Sequence, residues 1–221
     1  PTILPMHKLS QRQLIVLVLL TLVWGTNWPI MKMGVQGYPP LTFRAISSTL
    51  GLPVLTLVLL ALKVPFKVPR ENWRELFWLS MFNMIIWHVF IILAVNALSS
   101  GRAAILGYTM PIFSALLGAW VFGNRLTARG WLGVAAAALG AMLLLWHELT
   151  QLAGRPLGVW FALTGAAFWA LGTQQLRRTT LKVSTLTIVF WMTVLTQICL
   201  VALALVMDPF PWKMPTPGNW F

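Results

Sequence analysis

Polar and apolar positions along this chain fall into long blocks. Seven stretches hold no charged residue: 14–31, 45–62, 76–98, 103–124, 130–146, 156–176 and 183–207. A bilayer core of roughly 30 Å is crossed by about 20 apolar residues in a helix, and all seven are of that order. None shows the period-two alternation of a barrel strand, and backbone in lipid must bond internally, which leaves helices. The pattern predicts an all-α polytopic membrane protein with seven transmembrane helices and short connections. The first run follows Lys8 and Arg12 like a signal peptide. It has no small-residue cleavage site and continues through Trp24, Asn27 and Trp28, so it reads as a retained helix.

Composition supports this. The 221 residues are 58% apolar and 9% charged, against about 45–50% and about 25% in soluble domains. That excludes a soluble enzyme, a disordered chain and a disulfide scaffold; Cys199 is the single cysteine. Sixteen Lys and Arg against four acids give a net charge of +12, which in a soluble protein would suggest nucleic acid. Here the basic residues sit between the runs. With the N-terminus cytoplasmic, eleven fall in inner segments (Lys8, Arg12; Lys63, Lys67, Arg70, Arg74; Arg125, Arg129; Arg177, Arg178, Lys182) and four in outer ones (Lys32, Arg102, Arg155, Lys213). Arg44, near the start of the second run, completes the set. This is a positive-inside bias, so no nucleic-acid partner is expected.

An internal repeat appears at an offset of 145: Trp24 aligns with Trp169, Lys32 with Arg177, and Leu41-Thr42 with Leu186-Thr187. The unit is five helices, an odd number, so the second copy would cross the membrane inverted. The expected organisation is a cytoplasmic segment 1–13, a first five-helix repeat 14–146, a connection 147–156, two helices of a second repeat 157–207 and an outer loop 208–221. Three further helices would complete a ten-helix bundle of two inverted five-helix repeats, of which this chain is then a partial view.

The stretch Leu22-Val23-Trp24-Gly25-Thr26-Asn27-Trp28, with Pro40-Leu41-Thr42-Phe43-Arg44, resembles the opening of the drug/metabolite transporter superfamily, EamA type. The run from Ala97 to Leu145 is similar to that family's fourth and fifth helices, and 158–178 to its repeat opening. One departure is Asn124, where many members carry Glu; a loop partner for Arg125 or Arg129 is thereby removed. The many Trp residues resemble the branch of YddG-type aromatic amino-acid exporters. The resemblance implies ten helices, a central cavity and transport of small metabolites in a bacterial inner membrane, by a monomer or weak homodimer, with no cofactor or metal.

Candidate substrate-binding residues come from the runs. Trp24, Asn27, Trp28 and Met31 share one helical stripe; Asn27 either faces a solute or bonds a neighbouring helix. In the third run Asn83, Trp87 and His88 lie well inside. His88 is the one ionisable group near the middle of a run, and serves either a proton-linked step or a bond between helices. The fourth run offers a stripe of Gly101, Ile105, Tyr108 and Ile112. The sixth offers Trp169, symmetry mate of Trp24, and Thr173. Pro29, Pro53 and Pro111 interrupt helical hydrogen bonding and are candidate hinges or packing kinks. Gly133, Ala137, Gly140 and Ala141 give a small-residue surface suited to close packing within the bundle or in a dimer. The lining is aromatic, without a fixed charge near mid-depth, and suits a hydrophobic or aromatic amino acid exported by alternating access. The alternative is a channel or assembly subunit without a transport cycle. No mid-run carboxylate, nucleotide-binding loop, zinc motif or catalytic triad pattern supports a pump or membrane enzyme.

The orientation has a direct test. A cysteine replacing Lys67 resists an impermeant thiol reagent applied outside intact cells; ready labelling from outside reverses the topology.

Overall fold

The computed structural model describes residues 10–150 and 156–208, without the side chains of 144 and 147–150. Residues 1–9 of the expected N-terminal segment, 151–155 of the connection and 209–221 of the outer loop lie outside the described residues. Among the described residues every regular element is helical.

α1 (Gln11–Val35) starts ahead of its apolar run. Ser10 Oγ accepts from the Gln13 N–H, and Gln13 Oε1 accepts from the Ser10 N–H at 2.9 Å. This reciprocal pair satisfies amides that a helix start leaves free. Gly37, at φ +81°, turns the chain into α2 (Pro40–Ala61). Pro29 and Pro53 lie inside α1 and α2 without ending either. The third span, Arg70–Ala97, is composite: a 3-10 turn at Arg70–Asn72, α3 (Trp73–Ser80), a π-helical turn at Met81–Ile85 and α4 (Ile86–Ala97). In the π turn the Ile86 N–H reaches back five residues to Met81 O.

The fourth span, Ser100–Trp120, is also divided. α5 (Ser100–Gly107) ends at Tyr108, and α6 (Met110–Trp120) begins after Thr109. Pro111 falls in the first turn of α6, where a missing N–H costs little. It lies inside the fourth span beside the break, as the first turn of a new helix and not as a kink within a continuous one. The same break interrupts the expected stripe from Gly101 to Ile112. α7 (Ala128–Thr150) runs into the expected 147–156 connection, α8 (Pro156–Leu176) follows, and α9 (Thr185–Met207) ends at Asp208. Six spans among the described residues are long and apolar enough to cross a membrane, and Ala128–Leu143 of α7 is a shorter apolar helix. The seven expected runs correspond to these seven.

Lipid gives helices no hydrophobic reason to associate, so close backbone approach has to hold them together. α8 provides it. A Cβ on Gly158 would lie 2.9 Å from Ala97 Cβ, one on Gly165 3.4 Å from Phe90 Cβ, and one on Gly172 2.5 Å from Asn83 N. Glycines seven residues apart thus meet partners about seven apart in reverse order, so α8 runs antiparallel to the third span. Ala162, Ala166 and Ala170 are fully buried alongside. The small residues of α7 behave otherwise. Gly133 and Ala137 are exposed, and a Cβ at Gly133 or Gly140 would meet nothing within 4 Å. That face is therefore not a packing surface within the described bundle, contrary to the expectation.

α2 and α9 form a second antiparallel pair, clamped at both ends. Thr42 N–H and Oγ1 both donate to Asp208 Oδ2, at 2.6 and 2.7 Å, which places a carboxylate on free amides at the start of α2. At the other end Thr187 Oγ1 donates to Pro65 O at 2.7 Å. Between them Gln197 Nε2 donates to Ala45 O and Thr49 Oγ1.

The α8 seam yields a paired test. Gly172→Ala forces a methyl into the backbone of Asn83, an overpacking cost of about 1–3 kcal/mol, and lowers the melting temperature in detergent. Gly133→Ala leaves it unchanged.

Candidate functional site

The antiparallel pairs leave a cavity of 460 Å³ between α1, the start of α2, the third span and α8. Its volume suits a small organic ligand. Six sequence-predicted residues line it: Trp24, Asn27, Trp28, Trp87, His88 and Trp169. Val23, Met31, Arg44, Met84 and Ile91 complete the wall.

Each side chain has a local cause for its position. Trp28 is almost wholly buried; its ring rests where a Cβ on Gly107 would lie 2.6 Å away, and its Nε1–H donates to Tyr108 Oη at 3.1 Å. The two rings meet edge to face at 5.7 Å. Tyr108 therefore stands behind Trp28 and is not itself part of the lining. Asn27 Nδ2 donates to Met31 Sδ, one turn on, at 3.7 Å. His88 Nδ1 lies 2.7 Å from Met84 O. A carbonyl only accepts, so Nδ1 carries the proton, and in the neutral ring Nε2 is an acceptor. Trp87 and Trp169 pair at 6.4 Å between centroids.

Asn83 and Thr173 are brought together, beside the cavity and not in its wall. Asn83 Nδ2 donates to Trp169 O at 3.2 Å and to Thr173 Oγ1 at 3.0 Å. This bond ties the π turn to α8 and fixes the backbone that carries Trp169. Thr173 lines a second hollow of 480 Å³ with Pro111, Ala115, Asn124 and Arg177. Trp169 borders both hollows.

Sequence reasoning missed Arg44. Gly34 is the reason it reaches the cavity: the Phe43 ring fills the space a Cβ on Gly34 would need. α2 is thus drawn onto α1, and the next side chain is set beside Met31. Arg44 thus gives the lining one fixed charge, one turn into α2 and away from the mid-depth at which none was expected. The signal was present, since Arg44 is the one basic residue that fell in neither the inner nor the outer group of segments, and a charge inside a span marks a site.

At the end of the bundle that holds the start of α1, polar side chains bind the helices together. Arg178 Nη2 donates to Asn124 Oδ1 at 2.8 Å and Nη1 to Gln174 Oε1 at 2.7 Å, while Gln174 Nε2 donates to Ser114 O and Oγ. The guanidinium also lies over Phe122, 4.4 Å from the ring centroid. Thr179 and Thr180 hydroxyls donate to Glu75 at 2.6 and 2.9 Å. Asn124 thus engages an arginine across the bundle and not in its own loop. No group of three or more metal-ligating side chains occurs among the described residues.

With the geometry described, comparison with known proteins becomes informative. The model of the EamA-like transporter family matches residues 11–146. The chain belongs to that family. It is 24% identical over 206 residues to an Escherichia coli "Probable amino-acid metabolite efflux pump", covering 90% of this chain and 66% of that protein. It is 22% identical over 136 residues to "Uncharacterized transporter YoaV" of Bacillus subtilis, covering 62% and 47%. It therefore spans about half to two thirds of the length of these relatives. A solved crystal structure matches with a TM-score of 0.67 at 21% identity, covering 90% of this chain and 67% of the other, which shows the shared fold. The chain is thus a multi-pass membrane protein of the EamA fold.

The polar cluster yields a prediction. In a Cys199→Ala background, a cysteine replacing Ala115 in the second hollow reacts with maleimide several-fold faster once Arg178→Met removes the bonds to Asn124 and Gln174. An unchanged rate shows that these bonds do not hold that end shut.

Proposed function

We propose that this protein is a secondary transporter, not an enzyme, that moves small metabolites across the membrane by alternating access through the 460 Å³ cavity. The observation that carries the reading is the gathering of six predicted residues from α1, the third span and α8 around one hollow inside the bundle. The substrate class is hydrophobic or aromatic amino acids, moved outward. In support, Trp24, Trp87 and Trp169 offer stacking and edge contacts worth about 0.5–1.5 kcal/mol each beyond area burial. The name of the efflux-pump relative points the same way. A channel would need a continuous polar path, and the wall of this cavity is mostly aromatic and aliphatic.

The inverted repeat draws support from the α2–α9 pair. Thr42 and Thr187 are equivalent at the offset of 145. Each sits in the first turn of its helix, and each bonds the segment just after the other helix, at Asp208 and Pro65. Exchanging the two helices exchanges the contacts, as a two-fold axis in the membrane plane requires. On this reading the N-terminus is cytoplasmic, the membrane is a bacterial inner membrane, the cluster around Arg178 closes the inner end, and the protein works as a monomer or weak homodimer.

The test is transport by the reconstituted protein. Trp24→Ala and Trp169→Ala lower uptake of tryptophan more than that of alanine, because the lost contacts are with the side chain. Equal losses for both at normal expression assign the rings to packing and remove the cavity reading.

A further inference from the structure

Arg44 lies about 6 Å into α2 at 1.5 Å per residue, where a cation is costly unless paired or solvated. Its surroundings do not pair it. Nε is buried with no hydrogen-bond partner, and Nη1 reaches only Met31 Sδ, at 3.9 Å. A thioether is a weak acceptor, and a guanidinium has five donors to satisfy. The nearby carboxylate, Asp208, is committed to Thr42 N–H and Oγ1. Among the described residues the cavity wall contains no Asp or Glu. The fork therefore borders a hollow whose other walls are the tryptophans Trp24, Trp28, Trp87 and Trp169, the neutral polar Asn27 and His88, and aliphatic and thioether side chains.

We propose that Arg44 is the anchor for a carboxylate of the transported molecule, so that the cavity selects compounds with a carboxylate at one pole and an aromatic or large apolar group at the other. The inference rests on the cavity being the substrate site. A planar guanidinium donates two parallel hydrogen bonds to a carboxylate, and a ligand carboxylate supplies the anionic partner that no side chain of the wall gives Arg44. The contact of Phe43 with Gly34 holds the α2 backbone in place for this. The tryptophans on the opposite side then take the apolar group.

The probes are two pairs that differ only in the carboxyl group: L-phenylalanine against L-phenylalaninamide, and 3-phenylpropionate against 3-phenylpropionamide. Binding is measured on the purified, monodisperse protein. In the unaltered protein each acid binds about tenfold tighter than its amide, the size of a charge-assisted contact. Arg44→Gln brings both ratios to about one. Arg44→Lys, which keeps the charge and loses the fork, retains part of the preference and provides the reading if Arg44→Gln does not fold. Ratios unchanged in either variant, or no acid preference in the unaltered protein, overturn the proposal. Trp169→Ala separates the two readings. If it weakens all four probes with the ratios intact, the cavity is the site, and a failure at Arg44 then overturns the anchor alone. Four unchanged affinities overturn the cavity reading and the anchor with it.

Discussion

The backbone contact between α8 and the third span governs the arrangement of the other parts. Gly158, Gly165 and Gly172 let α8 approach until its axis rests on Ala97, Phe90 and Asn83. Such proximity replaces the hydrophobic drive that lipid removes. At the Gly172 contact the third span widens into its π turn, a feature found often at functional positions. There Asn83 donates to Trp169 O and Thr173 Oγ1. Trp169, which lines the cavity, is therefore placed by this close approach together with the Asn83 bond to its carbonyl.

The opposite wall is built on another basis. α1 meets its neighbours through ring-on-glycine contacts, Phe43 on Gly34 and Trp28 on Gly107, with Trp28 further held by Tyr108. These contacts set a guanidinium beside indoles, a combination that neither lipid nor a packed apolar core would tolerate without a purpose. Arg178, by contrast, has acceptors at Asn124 and Gln174 and a ring at Phe122. Two arginines in one bundle thus show two fates, one satisfied within the protein and one left open toward a hollow.

Much of this was legible in the sequence because the bilayer makes charge placement a coarse ruler. The uncharged runs located the six spans long and apolar enough to cross a membrane and the shorter apolar helix in α7, and helical spacing grouped Trp24, Asn27, Trp28 and Met31 on the face that lines the cavity. The offset of 145 picked out Thr42 and Thr187, whose exchanged bonds appear at the α2–α9 ends. What stayed hidden depends on relations between helices. The break at Tyr108 and Thr109 is marked only by Pro111, which says that the helical bonding is interrupted but not that two separate helices result. The small residues of α7 looked as well suited to close packing as those of α8, since composition does not say which face meets a partner. Arg44 was counted as a helix-end charge, because its route to the cavity depends on Gly34, ten positions earlier in the chain.

The glycine seam also divides the cavity by how freely its walls can vary. A side chain added at 158 or 172 collides with another helix, so the surface bearing Trp87 and Trp169 is locked to the architecture. Positions 24, 27 and 31 project from α1, with no backbone contact of that kind beneath them. Substitutions there can alter the shape and polarity of the hollow while the frame stays intact. The shape of the hollow can thus diversify along one face only, and an engineer wishing to reshape it would begin with α1 and leave the glycines of α8 at 158 and 172 untouched.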